Sequence, residues 1–215
     1  MTACVVFDFD GVLVDSNAVK RRAYRDIFAD TPGSEAVVEA VLQSNTEDDR
    51  FGVIRAILQG LGRNGQGTAQ EGLLAQYAER YNTICEEHAT VCPEVRGASP
   101  ALARLAVSHP LYIISATPEE PLRRIVSRRG WSHYFRDVLG RPRSKSENLA
   151  RVIQHEGIQG SDIVFVGDGR RDLDAASEAG CRFVGVRNAF NDFDPAGLTL
   201  VNDLTGLAAL VGKSG

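Results

Sequence analysis

The sequence predicts a doubly wound, mostly parallel α/β sheet that carries an inserted α-helical domain. Short apolar runs alternate with segments of helical periodicity, and one long segment after the first run holds helical patterns alone. Strands buried on both faces of a parallel sheet are apolar throughout, as these runs are. Because strands alternate with helices, we expect helices to cover both faces of the sheet.

The candidate strands are apolar runs of four to seven residues. They are CVVFDF (4–9), LYIIS (111–115), DIVFVGD (162–168) and RFVGV (182–186), with a weaker one at DVLG (137–140). The segments between them repeat apolar residues at helical spacing. These repeats are Leu102 and Leu105, then Leu122, Ile125 and Val126, then Leu149, Val152 and Ile153.

Residues 17 to about 91 break the alternation, because four helical patterns follow one another without a strand between them. Their breakers are TPG (31–33) and the glycine-rich GLGRNGQG (60–67). The second breaker follows no strand, so it predicts a connector between two helices and not a phosphate-binding loop. The predicted division is a core domain of 1–15 and 93–215, with an inserted helical domain of 16–92.

Composition limits the class of partner. The 215 residues are 43% hydrophobic, and 24 basic against 28 acidic residues give a net charge of −4. A chain of this size buries a substantial core. No basic run is long enough to follow a phosphate backbone, so nucleic acid is a poor candidate and small-molecule chemistry is favoured.

Location and redox state follow from what the chain contains. The first residues carry no basic leader, and no run of about 18 apolar residues is present, so we expect no membrane span and a cytoplasmic protein. Cys4, Cys85, Cys92 and Cys181 lack metal-ligand spacing, and we expect them to be reduced thiols.

Polar residues follow the candidate strands at the points where the strands end. Because the carboxyl ends of parallel strands meet at one edge of the sheet, these side chains are expected to converge there. The candidates are Asp8 and Asp10 after the first strand, Ser115 after the second, Lys145 in GRPRSKSENL, and Asp168 and Asp172 in GDGRRD.

The chemistry of this set is that of phosphoryl transfer. Asp8 and Asp168 supply the hard oxygen ligands that Mg²⁺ prefers, and Asp172 can orient the ion's waters. A carboxylate with one oxygen free can attack phosphorus and form an aspartyl-phosphate. Asp10, two residues on, can then protonate the leaving oxygen and later deprotonate water. Lys145 would screen the negative charge.

The Ser115 hydroxyl and the backbone N–H groups that follow it, beginning at Ala116, would hold the phosphoryl oxygens. Asp15 and Ser16 have a simpler interpretation, since Asp and Ser are preferred residues at the N-cap of a helix.

The motifs DFDGVLVDS, IISAT, SKSENL and GDGRRDLDAASEAG resemble the four motifs of the haloacid dehalogenase superfamily, in the usual order and over almost the whole chain. The helical insert resembles the type 1 cap of the subfamily that contains phosphoglycolate phosphatases and β-phosphoglucomutases. The resemblance implies a Rossmann-like core and a phosphatase. It also implies Asp8 as nucleophile, Asp10 as general acid/base with its main-chain carbonyl on Mg²⁺, and Asp168 as metal ligand.

Two departures refine the resemblance. The third motif of the superfamily often reads Lys-Pro-x-Pro, whereas Lys145 stands in PRSKSENL. The dehalogenases and the phosphonate-cleaving relatives lack the second aspartate of the first motif, so Asp10 favours phosphate chemistry. Two alternatives stay open: a phosphosugar mutase with the same motifs, and a non-catalytic binding protein.

The insert offers candidates for substrate contact. Asn17 and Lys20 in DSNAVKRRAY and Arg50 in EDDRFGVI could bind an anionic or hydroxylated part of a small phosphorylated metabolite, although such residues more often solvate a helix face.

Overall fold

The computed structural model describes residues 2–44, 50–63, 68–191, 193–194 and 196–212. Their contacts divide the chain into two compact units, one of Met1–Ser16 with Thr90–Gly215 and the other of Asn17–Ala89. Within these described ranges, no helix combines the length and the apolarity that crossing a membrane requires. No disulfide bond joins the four cysteines Cys4, Cys85, Cys92 and Cys181, all of which belong to the described residues.

The first unit is built on a parallel sheet, which confirms the predicted fold class. Its strands within the described residues are β1 Cys4–Phe7, β2 Leu111–Pro118, β3 Asp137–Arg141, β4 Ile163–Gly167, β5 Arg182–Val186 and β6 Thr199–Val201. They lie in the order β3-β2-β1-β4-β5-β6, and every neighbouring pair is parallel. The chain leaves β1 toward β2 on one side and returns to β4 on the other. Ligands of such sheets bind at this switch in strand order.

Helices cover the sheet. They are α5 Ala98–Leu105, α6 Glu119–Arg128, α7 Lys145–Glu156, α8 Arg170–Glu178 and α9 Leu207–Gly212. One core cluster joins β1, β2, β4 and β5 to the apolar sides of α7 and α8, through residues such as Val6, Phe165, Leu149 and Ala176. Alternate strand residues face the opposite side, and every residue of β1 and β4 is buried. Both faces are therefore buried, which is why the strands are apolar runs.

The sequence did not indicate β6. This strand has three residues, none of them buried, at the edge of the sheet beside β5. A run so short and so exposed shows no periodicity that could separate it from a loop.

The second unit is helical within its described residues. It consists of α1 Asn17–Phe28, α2 Ser34–Ser44, α3 Arg50–Gly60 and most of α4 Thr68–Val91. Its core stacks Tyr24 on Tyr81 and Phe28 on Tyr77, with ring centroids 4.3 and 4.4 Å apart. The predicted connector at 60–67 begins within α3, and its residues 64–67 lie outside the described part of the chain.

Candidate active site

Asp8 and Asp10 lie in a tight turn at the carboxyl end of β1. The Asp8 N–H donates to the Val166 carbonyl at 2.8 Å, which holds the turn against β4. Gly11 adopts φ 73°, a left-handed conformation that suits glycine, and its N–H donates to the Val14 carbonyl at 2.8 Å. Both carboxylates are buried as a result, each in a residue that is 6% exposed.

Two hydroxyls hold the Asp10 carboxylate. Ser16 Oγ donates to Oδ1 at 2.5 Å and Thr117 Oγ1 donates to Oδ2 at 3.0 Å. Ser16 directly precedes α1, where the sequence indicated an N-cap, and its hydroxyl reaches back to the turn. The sequence did not single out Thr117. Its only signal was its place two residues after Ser115.

Ser115 lies near the end of β2 and is 2% exposed, and its hydroxyl accepts the Thr117 N–H at 3.1 Å. Phe7 of β1 is in register with Ile113 of β2, so Ser115 and the partly buried Ala116 follow at the edge where the β1 turn lies.

Lys145 is the first residue of α7, which begins with a capping box between Ser144 and Glu147. The cap fixes the start of the helix and brings the ammonium into the site. Lys145 Nζ lies 2.9 Å from Asp8 Oδ2 and 2.5 Å from Asp172 Oδ1. Burial alone would lower the pKa of Lys145, but the Asp172 and Asp8 carboxylates raise it above its ordinary value. The side chain is therefore charged.

Asp168 follows β4 in the turn that leads into α8, and Asp172 lies in the first turn of that helix. A Cβ on Gly167 would lie 2.3 Å from the Asp172 Cβ, so only glycine permits this approach. The Asp172 carboxylate accepts the Gly169 N–H at 3.0 Å through Oδ2 and Lys145 through Oδ1. With both oxygens engaged, Asp172 is arranged to orient its neighbours, which favours the supporting role that we predicted.

The arrangement fits a divalent cation. Asp8, Asp168 and Asp172 each offer a carboxylate oxygen within 4.8 Å of the others. Asp8 Oδ1 is buried and has no hydrogen-bond partner among the described residues. Burial raises the pKa of the Asp8 carboxyl to about 8, against the opposing effect of the Lys145 ammonium. A hard cation would satisfy the unpartnered oxygen and stabilise the ionised form.

The candidates for substrate contact lie in the helical unit. Asn17 is the first residue of α1, Lys20 lies one turn later, and Arg50 begins α3. The Arg50 guanidinium lies 4.6 Å from the centroid of the Phe51 ring. Their contact with a substrate stays a prediction.

Comparison with known proteins decides the family. The family model described as haloacid dehalogenase-like hydrolase matches residues 2–180, most of the chain. The chain belongs to the haloacid dehalogenase-like hydrolase family. Phosphoglycolate phosphatase 1 of Pseudomonas aeruginosa is 31% identical over 199 residues, which cover 89% of this chain and 71% of that protein. The predicted class of enzyme, a phosphatase of the haloacid dehalogenase-like hydrolase family, is confirmed.

Solved structures agree on the fold. A protein from Haemophilus somnus described as a predicted phosphoglycolate phosphatase superposes with a TM-score of 0.79, at 18% identity over 97% of both chains. CbbY from Rhodobacter sphaeroides, solved in complex with phosphate, gives a TM-score of 0.74, at 18% identity over 96% of both chains. At such identities the likeness concerns the fold of haloacid dehalogenase-like hydrolases alone.

Proposed function

We propose that the protein is a Mg²⁺-dependent phosphatase that hydrolyses a small phosphorylated metabolite through an aspartyl-phosphate on Asp8. The substrate class is a sugar phosphate or a phosphoglycolate-like hydroxy-acid phosphate. One observation carries the proposal: the buried Asp8 carboxylate at the switch in strand order, bonded through Oδ2 to Lys145 and clustered with Asp168 and Asp172. The phosphoglycolate phosphatases among the relatives support the substrate class.

Asp8, Asp168 and the main-chain carbonyl of Asp10 would hold Mg²⁺, with Asp172 orienting the site through its hydrogen bonds. When bound, the ion supplies charge neutralisation between Asp8 and the phosphate of the substrate. Asp8 Oδ1 suits the role of a Mg²⁺ ligand, because no donor among the described residues competes for its lone pair.

The reaction divides into two displacements at phosphorus. Asp8 attacks the phosphorus, the bond to the ester oxygen breaks, and that oxygen takes a proton from Asp10. Asp10 then takes a proton from water as the water oxygen attacks the aspartyl-phosphate. This second step breaks the bond to Asp8 and releases inorganic phosphate. The hydroxyls of Ser16 and Thr117 keep the Asp10 carboxylate in place for both proton transfers.

The phosphoryl group needs its own ligands during both displacements. We assign this role to the Ser115 hydroxyl, the backbone N–H of Ala116 and the ammonium of Lys145. The Lys145 ammonium contacts the Asp8 carboxylate. It therefore lies close to the negative charge that builds up when Asp8 attacks the phosphate. A fixed cation there lowers the barrier because it needs no reorganisation during the reaction.

The inserted domain, residues 16–92, completes the proposal as a cap that excludes bulk water during turnover. Asn17, Lys20 and Arg50 would contact the part of the substrate that does not react. The proposed location is the cytoplasm, where phosphorylated metabolites are found and where free thiols such as Cys4 stay reduced.

The test is release of inorganic phosphate from a panel of phosphorylated sugars, hydroxy acids and nucleotides, with Mg²⁺ or with a chelator. Asp8→Asn removes the nucleophile and keeps its shape. Asp15→Asn is the matched control, since Asp15 belongs to the same turn sequence but is exposed. We expect Mg²⁺-dependent release that Asp8→Asn abolishes and Asp15→Asn leaves unchanged.

Other outcomes would redirect the assignment. Activity retained in Asp8→Asn would remove that residue from the nucleophile role. Conversion of one phosphosugar isomer into another without phosphate release would indicate the mutase. If the folded protein showed no activity on the panel and none in mutase assays, the remaining hypothesis would be a non-catalytic binding protein.

A further inference from the structure

Asn188 contacts the carboxylate of Asp168 from a loop that sequence motifs did not single out. Its Nδ2 donates to Asp168 Oδ2 at 2.7 Å. Asp168 follows β4 and Asn188 follows β5, and these neighbouring strands are paired up to Gly167 and Gly185. The contact therefore joins two adjacent loops at the carboxyl edge of the sheet, the edge where the carboxylate cluster lies.

The orientation of the Asn188 amide is fixed by a second bond. Its Oδ1 accepts the Phe190 N–H at 2.8 Å, so the NH₂ group must point to Asp168. Asn191 holds the same loop: its Oδ1 accepts the Asn188 N–H at 3.2 Å, and its Nδ2 donates to the carbonyls of Asp168 at 2.9 Å and Val186 at 2.7 Å. Both asparagines thus use both ends of their amides.

A carboxylate ligand that accepts such a hydrogen bond has less rotational freedom than a carboxylate without one. A carboxylate rotates about its Cβ–Cγ bond, and a donor on one oxygen restricts that rotation and fixes where the other oxygen points. Hydrogen bonds of this kind to metal ligands orient them, and their loss typically lowers metal affinity 10- to 100-fold. The Asn188 contact meets this description, because its donor bonds a single oxygen and is itself held rigidly.

We propose that Asn188 is a positioning residue for the metal site, which holds the Asp168 carboxylate in its ligating orientation, and that Asn191 locks the loop that carries it. This inference rests on the proposed function, in which Asp168 is a ligand of Mg²⁺. It adds the loop after β5 to the metal site, whose proposed ligands come from the turns after β1 and β4.

The experiment measures Mg²⁺ affinity directly, by calorimetric titration of the metal-free enzyme with MgCl₂. Asn188→Ala removes the donor, and Asn202→Ala is the matched control, since Asn202 is exposed and follows the next strand, β6. We expect the Kd for Mg²⁺ to rise about 10- to 100-fold in Asn188→Ala and to be unchanged in the control. The Mg²⁺ concentration for half-maximal phosphatase activity should rise in parallel, while kcat at saturating Mg²⁺ is retained.

Folding is checked by thermal unfolding in chelator. Should Asn188→Ala fail to fold, Asn188→Ser takes its place, because the serine hydroxyl is one bond shorter and cannot make the same contact. A Kd within about twofold of the unchanged enzyme would overturn the inference and leave the phosphatase proposal standing. If the unchanged enzyme bound no Mg²⁺ and released phosphate equally in chelator, the metal site and its positioning residue would both be refuted.

Discussion

Replacing Lys145 by methionine tests whether the site is held by its central cation. The ammonium lies 2.9 Å from Asp8 and 2.5 Å from Asp172, and the three side chains are only 12%, 8% and 1% exposed. Methionine keeps most of the length and the apolar character of the stem, and it removes the charge. Both carboxylates then lose a buried partner. Removing one member of a buried ion pair typically costs about 3–5 kcal/mol of stability.

The pH dependence of this loss has a definite sign. Burial raises the pKa of Asp8 to about 8 with Lys145 present, and without Lys145 it rises further, because the ammonium acts to lower it. Above pH 8 the variant's folded state therefore keeps a proton that the unchanged protein has released. The deficit in unfolding free energy should approach about 3–5 kcal/mol near pH 9 and be smaller near pH 7.

The assay is urea unfolding of the metal-free protein at the two pH values. Arg170→Met is the matched control on the neighbouring helix: Arg170 pairs with Asp174 at 3.0 Å, but the two side chains are 65% and 61% exposed. An exposed i,i+4 pair contributes about 0.3–0.5 kcal/mol. If Lys145→Met lost no more stability than Arg170→Met at either pH, the idea of a buried, charge-coupled centre would be refuted.

Three further predictions follow from single contacts. Gly167→Ala places a Cβ 2.3 Å from the Asp172 Cβ, so overpacking should lower the free energy of unfolding by about 1–3 kcal/mol in urea titrations. Thr117→Val removes a 3.0 Å bond to Asp10 worth about 1.5 kcal/mol or more, so kcat should fall about tenfold in phosphate-release assays. Mg²⁺ affinity measured by calorimetry should increase as the pH rises to about 8, because the Asp8 carboxyl must lose its proton to bind a cation.

Each of these has a control or a contradicting result. Gly206→Ala adds a Cβ that meets nothing within 4 Å, and it should leave stability unchanged. Thr199→Val makes the same substitution at an exposed position in β6, where kcat should not respond. A Mg²⁺ affinity that is flat between about pH 5 and pH 8 would show that Asp8 carries no proton in that range.

The turns after β1 and β4 could be predicted from sequence because their information is local. Asp8 and Asp168 stand at the ends of apolar runs, and in a parallel sheet those ends share one edge. Both residues can therefore be placed at that edge without knowing the order of the strands in the sheet. Lys145 was harder to place, because the strand signal before it, DVLG (137–140), is weak, and the motif around Lys145 compensated for that weakness.

Residues that act through a distant partner were not predictable in this way. Asn188 and Asn191 stand in RNAFND, which reads as an ordinary polar turn, and Asn188 reaches Asp168 across 20 positions of sequence. Thr117 reaches Asp10 across 107 positions. No periodicity encodes such contacts, because they depend on which loops the sheet order brings together.

The negative charges of the site indicate the order in which Mg²⁺ and the substrate phosphate bind in our proposal. Among the described residues, four carboxylates belong to the site, and the Coulombic effects of Asp172, Asp168 and Asp10 all disfavour the ionised form of Asp8. Lys145 opposes them but contacts only two of the four. A phosphate monoester brings further negative charge to the same edge of the sheet, and like charges in a buried site repel strongly. In our proposal Mg²⁺ therefore binds before the substrate phosphate, because a cation at the carboxylates reduces this repulsion, and phosphate binding in chelator is weak.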